Sequence, residues 1–276
     1  MNVSLSRNAP RVNQWAARSR RQSAWAGGDY AAVGSALQLV SEELCETMNL
    51  YQEARVLDVA AGNAHASLAA ARRWCDVTCT DSAPDLMDRQ ASRTEARNLG
   101  VRFVEGDAEA LPFGDQSFDA VISTFGAMFA LDQDRASAEM IRVCRRGGRV
   151  GVANWTPQGF IGELFKLIGS HAGSDGANLA AFDWGTHGCL ARLFGAYGRI
   201  ESIVKNVAFR AATPAEWVGR FLTSYAPVLK SFAMLDANRQ RALRGDLLEL
   251  VARFNRAKNG AMVVDAEYLE VVITRR

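Results

Sequence analysis

From Arg55 to Val152, short runs of branched and aromatic residues alternate with longer helix-favouring stretches, the rhythm of a parallel sheet wound with helices. Five strands are predicted there: RVLDVA from Arg55, DVTCTD from Asp76, VRFVEG from Val101, FDAVIS from Phe118 and GRVGVAN from Gly148. The alanine-rich segment ASLAAARR, a helix former, separates the first two. Ahead of the fifth, DRASAEMIRVCRRGG predicts a helix that stops at Gly147 and Gly148, since glycine suits the left-handed turn just past a helix end.

The C-terminal third changes rhythm. RIESIVKNVAFR predicts a sixth strand with its lead-in, and AMVVDAEYLEVVITRR a seventh that ends the chain. Between them stands a helix-start signature: Thr213 as cap, Pro214 at the first helical position and Glu216 placed to close a capping box. Trp217, Phe221 and Tyr225 then fall on one helix face. Pro227 is expected to interrupt that helix, and a second amphipathic stretch runs through Leu243, Leu247, Leu250 and Phe254. The predicted organisation is a basic flexible tail over 1–24, an α/β core with N-terminal cap helices over 25–212, a helical insertion over 213–258 and a final core strand over 259–276. The insertion reads equally as a lid over a pocket or as the surface of a homodimer. No internal repeat or low-complexity block is present.

At 276 residues, 49% hydrophobic and 22% charged, the chain has the composition of a globular protein with a substantial core. Its net charge of +2 is uneven: Arg7, Arg11, Arg18, Arg20 and Arg21 all precede the first acid, Asp29, so the remainder stands at −3. A basic tail on a mildly acidic body argues against a nucleic-acid partner. The N-terminus lacks the apolar core of a signal peptide and no run approaches a membrane span, so a cytoplasmic protein without membrane contact is expected. Cys45, Cys75, Cys79, Cys144 and Cys189 lack the paired spacing of a zinc site; reduced, mostly buried thiols and no metal are expected.

The candidate chemistry begins at the first strand's end, in RVLDVAAGNAH, Arg55 to His65. Open parallel sheets bind ligands beyond the carboxyl ends of their strands. A loop that wraps a pyrophosphate offers several glycines and no negative charge there, whereas this loop has one glycine, Gly62, and the carboxylate of Asp58. Asp58 would repel a phosphate by about 1–4 kcal/mol at near contact. It suits a cation, and S-adenosylmethionine, a nucleoside with a sulfonium and an ammonium and no phosphate, fits that pattern. Asp81 follows at the end of the second strand, where an acid can accept hydrogen bonds from both ribose hydroxyls. Asp107 follows the third, where its carboxylate can meet the adenine amino group while the Ala108 backbone meets the ring.

The segments RVLDVAAGNAHASLAAARR, VTCTDSAPDLMDR, FVEGDAEALPFGDQSFDAVISTFGAMF and MIRVCRRGGRVGVANWTPQGF resemble, in order and spacing, the motifs of class I S-adenosylmethionine-dependent methyltransferases, most closely the small-molecule group that includes quinone-biosynthesis enzymes. The resemblance spans Arg55 to Phe160. It implies an α/β, Rossmann-like, seven-stranded, mostly parallel sheet with the last strand antiparallel. It further implies that Asp58, Ala60 and Gly62 line the methionine end and Asp81 the ribose, and that Ser82 and Leu86 flank the adenine with Asp107 and Ala108 at its polar edge. Ser123 is placed near the transferable methyl. The chain departs from the family at Ala64, where a second glycine is usual, at His65, where the family has a small or polar residue, and at Arg146, where proline is common. The Ala64 methyl is expected to narrow the approach to the methionine portion.

Methyl transfer from a sulfonium is an in-line displacement that needs collinear positioning in a dry pocket more than any fixed catalytic group. Where an acceptor must lose a proton, His65 and His187 are the candidate bases, with His171 the third histidine. Trp25 and Tyr30 precede the core; Phe125, Phe129, Trp155 and Phe160 follow the fourth and fifth strands. Together they predict a small apolar or aromatic substrate. Two alternatives stand beside methyl transfer: a non-methylating reaction on the same cofactor, such as a cyclisation, and a non-catalytic binding module. Asp58 disfavours a nicotinamide dehydrogenase.

Overall fold

The computed structural model describes residues 36–83, 87, 91, 99–172 and 179–276. Seven strands form one sheet: β1 (Arg55–Val59), β2 (Asp76–Asp81), β3 (Val101–Glu105), β4 (Phe118–Thr124), β5 (Cys144–Trp155), β6 (Gly198–Ala211) and β7 (Met262–Arg275). Their spatial order is β3-β2-β1-β4-β5-β7-β6. β1 to β5 pair in parallel, and β7 runs antiparallel to both of its neighbours. The order reverses between β1 and β4, which puts a crevice at the carboxyl tips of β1, β2 and β4.

Helices cover both faces. On one, α1 (Leu37–Thr47) and α2 (His65–Ala71) bury Leu44, Cys45, Ala66 and Ala70 against Val56, Val77 and Ile122 of the sheet. On the other, α3 (Gln133–Val143), α4 (Phe160–Ala172) and α5 (His187–Phe194) join the larger core with Met140, Leu164, Ile168 and Phe194. Between β6 and β7 come α6 (Pro214–Ser224), α7 (Ala226–Ala233) and α8 (Ala237–Phe254). Thr213 caps α6 by accepting from the Glu216 N–H at 3.1 Å. The Glu216 carboxylate pairs with Arg220 one turn on, so the capping box is only half made. The break before α7 falls at Tyr225, which leaves Pro227 in the first turn of the next helix, where its missing N–H is harmless. Leu243, Leu247 and Leu250 are buried along α8 as their spacing predicts.

One boundary differs from the sequence reading. The helix ahead of β5 stops at Val143, and Gly147 and Gly148 lie inside the strand. Opposite them the register with β4 jumps from Phe118↔Cys144 to Ala120↔Arg149, a bulge. Gly147 supplies the left-handed residue (φ +71°), and a Cβ on Gly148 would stand 2.7 Å from the Asp119 carbonyl oxygen. Bulges and helix ends call for the same residue type, which is why the paired glycines misled.

Candidate active site

The turn from β1 into α2 holds three left-handed residues, Ala60 (φ 53°), Gly62 (φ 51°) and Ala64 (φ 55°). Its backbone adopts at alternate positions a shape that favours glycine, and each alanine there costs roughly 1–2 kcal/mol. Hydrogen bonds hold it: the Ala61 N–H donates to the Thr80 carbonyl at 3.2 Å, and the Ala64 N–H to the Ala61 carbonyl at 2.8 Å. The Ala60 methyl is accommodated because the facing residue is Gly126, whose Cβ, were there one, would lie 2.8 Å from it and closer still to the Ala60 carbonyl. Gly126→Ala is therefore expected to lower stability by about 1–3 kcal/mol in urea melts, and an unchanged midpoint would contradict this close approach.

Asp58 is fully buried beneath the turn. Its Oδ2 accepts from both the backbone N–H (2.9 Å) and the hydroxyl (2.7 Å) of Ser67, so it caps the third residue of α2, which has no side-chain cap of its own. Its Oδ1 has no partner among the described residues. Burial pushes this carboxyl up to about 7, the two Ser67 hydrogen bonds pulling against it and the neighbouring Asp81 adding to it. Asp81 joins the first two loops: its Oδ2 accepts from the Gly62 N–H at 2.9 Å and its Oδ1 from the Ala83 N–H at 3.0 Å. Asp107 accepts the Glu109 N–H at 2.9 Å in the turn after β3.

A single cavity, partly open to solvent, runs across these strand tips. One half is lined by Ala60, Gly62, Asp81, Ser82, Asp107 and Ala108, with Asn63, His65 and Gly106 beside them and Leu37 of α1 reaching in. Above Gly62 the space is open, since a Cβ there would meet nothing within 4 Å. The other half is aromatic. Phe125 and Trp155 stack at 3.7 Å, and Phe129, Phe165 and Phe209 extend the wall. Trp217, Phe221 and Tyr225 close it from α6 and its C-terminal cap. Phe125 holds a left-handed backbone (φ 58°) while its N–H donates to the Ala153 carbonyl at 2.9 Å, local strain at the junction of the two halves.

The profile of a family described as "Methyltransferase domain" matches residues 57–152, the stretch that builds the first half of this cavity. An uncharacterized protein of Mycobacterium tuberculosis is 34% identical over 260 residues, 91% of this chain and 93% of its own length. The demethylmenaquinone methyltransferase of Deinococcus radiodurans is 36% identical over 121 residues, 42% of this chain and half of that one. The crystal structure of the YcgJ protein from Bacillus subtilis shares the fold, with a TM-score of 0.60 at 19% identity over 86% of this chain and 99% of that one. The chain belongs to the class I S-adenosylmethionine-dependent methyltransferases. Its cofactor is S-adenosylmethionine and its cofactor product S-adenosylhomocysteine. The lining suits such a group: carboxylates, an open backbone turn over a buried acid, and no cation among the described lining residues other than a protonatable His65.

Within this methyltransferase several residues singled out by sequence fall elsewhere. Ser123 is buried away from the cavity; its hydroxyl donates to the Val59 carbonyl at 2.7 Å and accepts the Ala127 N–H at 3.0 Å, which pins β4 to β1. Its neighbour Thr124 lines the wall. Phe160 is core, packed at 5.5 Å on both Trp217 and Phe254, while Ile161, Leu164 and Phe165 of the same helix face the cavity. His187 is exposed and within 3.0 Å of the Ser202 hydroxyl; His171 meets Asp246 at 2.6 Å and ties α4 to α8. Asp58 lies under the loop, not on the cavity wall. Trp25, Tyr30 and Leu86 lie outside the described residues. Sequence reasoning left out Leu37, Asn63, Phe165 and Phe209, and it saw the aromatic stripe of α6 without its destination. Among the described residues no helix is long and apolar enough to cross a membrane, and no three His, Cys, Asp or Glu side chains group to hold a metal ion. All five cysteines are free thiols.

Proposed function

We propose that the enzyme methylates a small, largely apolar or aromatic metabolite in the cytoplasm, by in-line transfer inside the two-part cavity. The observation that carries this reading is the continuity of a carboxylate-bearing half with an aromatic half in one cavity. Asp81 takes the ribose hydroxyls and Asp107 with the Ala108 backbone the adenine edge, flanked by Ser82; Ala60 and Gly62 face the methionine end. Asp58 acts from beneath the loop. When bound, S-adenosylmethionine supplies an electrophilic methyl on a sulfonium. The Phe125–Trp155 stack and the α6 rings orient the acceptor and exclude water, which strengthens every charge interaction inside. His65 is the imidazole on the cavity wall, placed to take a proton where the acceptor must lose one. The insertion is a lid on this reading, because Trp217, Phe221 and Tyr225 are spent on the cavity and not on a dimer surface.

The test is incubation with methyl-labelled cofactor and a panel of apolar acceptors, quinol-type rings first in view of the demethylmenaquinone methyltransferase relatives. Label in an acceptor is the expected result. Bound cofactor with no label passed to any acceptor would favour a non-methylating reaction, and no binding of S-adenosylhomocysteine at millimolar concentration would favour a binding module that has lost its ligand. His65→Gln is expected to lower kcat on a hydroxyl acceptor by about 10²-fold; an unchanged kcat would remove it from proton transfer.

A further inference from the structure

Part of the aromatic half of the cavity is built from rings whose faces are already in use. Trp217 and Phe221 lie parallel within 4° at 5.2 Å, and Phe221 and Tyr225 within 16° at 5.3 Å, so both faces of Phe221 are covered by its ladder neighbours. Phe125 and Trp155 cover one face of each other at 3.7 Å and 9°. Phe209 lies 6.2 Å from Trp155, and Tyr268 meets it edge-on at 6.4 Å. Phe221 reaches the cavity by its rim. An aromatic rim is the electropositive part of the ring and the face the electronegative part, so a rim presented by Phe221 attracts electron-rich π faces and oxygens and repels cations. No carboxylate among the described lining residues offsets this in the aromatic half; Asp81 and Asp107 stand in the other half, toward the cofactor. A cationic acceptor would also face the sulfonium across the line of transfer.

We propose that this half selects an uncharged or anionic, electron-rich planar acceptor and rejects cationic amines, and that Phe221 sets this selectivity by covering the faces of Trp217 and Tyr225. The inference rests on the reading of the aromatic half as the acceptor site. Its distinctive consequence is that removing Phe221 uncovers two ring faces, so the cation should gain relative to the neutral ligand even as overall packing is lost.

The test uses the full chain saturated with S-adenosylhomocysteine and two isosteric probes, 4-tert-butylphenol and (4-hydroxyphenyl)trimethylammonium, titrated at pH 6.5 with tryptophan fluorescence. The neutral probe is expected to bind at least about tenfold more tightly, the scale of leaving a desolvated cation without a cation–π partner. In Phe221→Ala that ratio should shrink at least about threefold. Phe221→Leu, which uncovers the same faces with less loss of volume, should move it the same way if the alanine variant does not fold. Equal or tighter binding of the cation by the wild type, or a ratio unchanged in a folded variant, overturns the proposal. So does failure of both probes to bind while S-adenosylhomocysteine binds, an outcome that leaves the cofactor assignment standing; failure of S-adenosylhomocysteine itself overturns both readings.

Discussion

Asp58→Asn is expected to gain stability relative to wild type as pH rises from 4 to 7, with a constant difference above it, in urea melts of the cofactor-free protein. The sign follows from linkage. The carboxyl ionises near its ordinary 3.8 in the unfolded chain and at about 7 in the fold, so between those values the native state holds a proton that the unfolded state has released. Unfolding is then favoured by rising pH throughout that window, and the full penalty, on the order of 4 kcal/mol, is present above it. The physical cause is burial without compensation. Ser67 satisfies Oδ2, Oδ1 has no partner among the described residues, and the neighbouring charge of Asp81 is of the same sign. Asparagine keeps an acceptor for the Ser67 N–H and hydroxyl and cannot ionise. Its NH₂ adds a cost of its own that does not vary with pH, so the readout is the change of the difference between the two proteins, not its absolute value. Parallel stability curves would show that Asp58 ionises in the fold as easily as in water. A bound sulfonium works in the opposite direction to Asp81, so the cofactor should stabilise wild type more at pH 8 than at pH 5, and the variant about equally at both.

The strands were legible because parallel strands covered on both faces are continuous apolar runs: RVLDV and DVTCTD begin where the structure begins them. The acids at the strand tips were legible for the same reason, since a polar residue that ends such a run has few places to go. What a strand tip does not reveal is the side to which its side chain turns. Asp58 and Ser123 each stand one residue short of a strand's end and both turn inward, one to cap α2 and the other to pin β4, and it is Thr124, one residue after Ser123, that reaches the cavity. Helix phase hides in the same way at Phe160, one residue ahead of Ile161, which lines the wall. The stripe Trp217, Phe221, Tyr225 was visible as a face, but a face does not name what it covers; that depends on how the insertion folds back over β6, β7 and α4. The left-handed backbone at Ala60 and Ala64 was masked by the residue type itself, for alanine advertises a helix and the turn is held by hydrogen bonds that its N–H groups donate to Thr80 and Asp81.

Asp81→Ala is expected to weaken S-adenosylhomocysteine binding by about 10²-fold in calorimetry, with a much smaller loss of stability. Two contributions add. On the reading proposed above, the carboxylate accepts hydrogen bonds from the ribose, and hydrogen bonds to a charged group contribute about 1.5–3 kcal/mol. The same carboxylate gathers the Gly62 N–H at 2.9 Å and the Ala83 N–H at 3.0 Å, so its removal frees two loops that bound ligand must then order at its own cost. Stability falls less because Gly62 and Asp81 are both partly exposed, and water can replace the lost partner in the free protein. Asp81→Asn separates the two contributions. Its amide oxygen can still hold the Gly62 N–H, so the first loop stays ordered while the Ala83 N–H loses its acceptor and the charge-assisted bonds to the ribose become ordinary ones, and the loss should fall to about tenfold. Equal losses in the two variants would mean that the charge does everything and the loop nothing. A loss under threefold in Asp81→Ala would place the ribose elsewhere in the cavity and remove the main support for reading these strand tips as the nucleoside site.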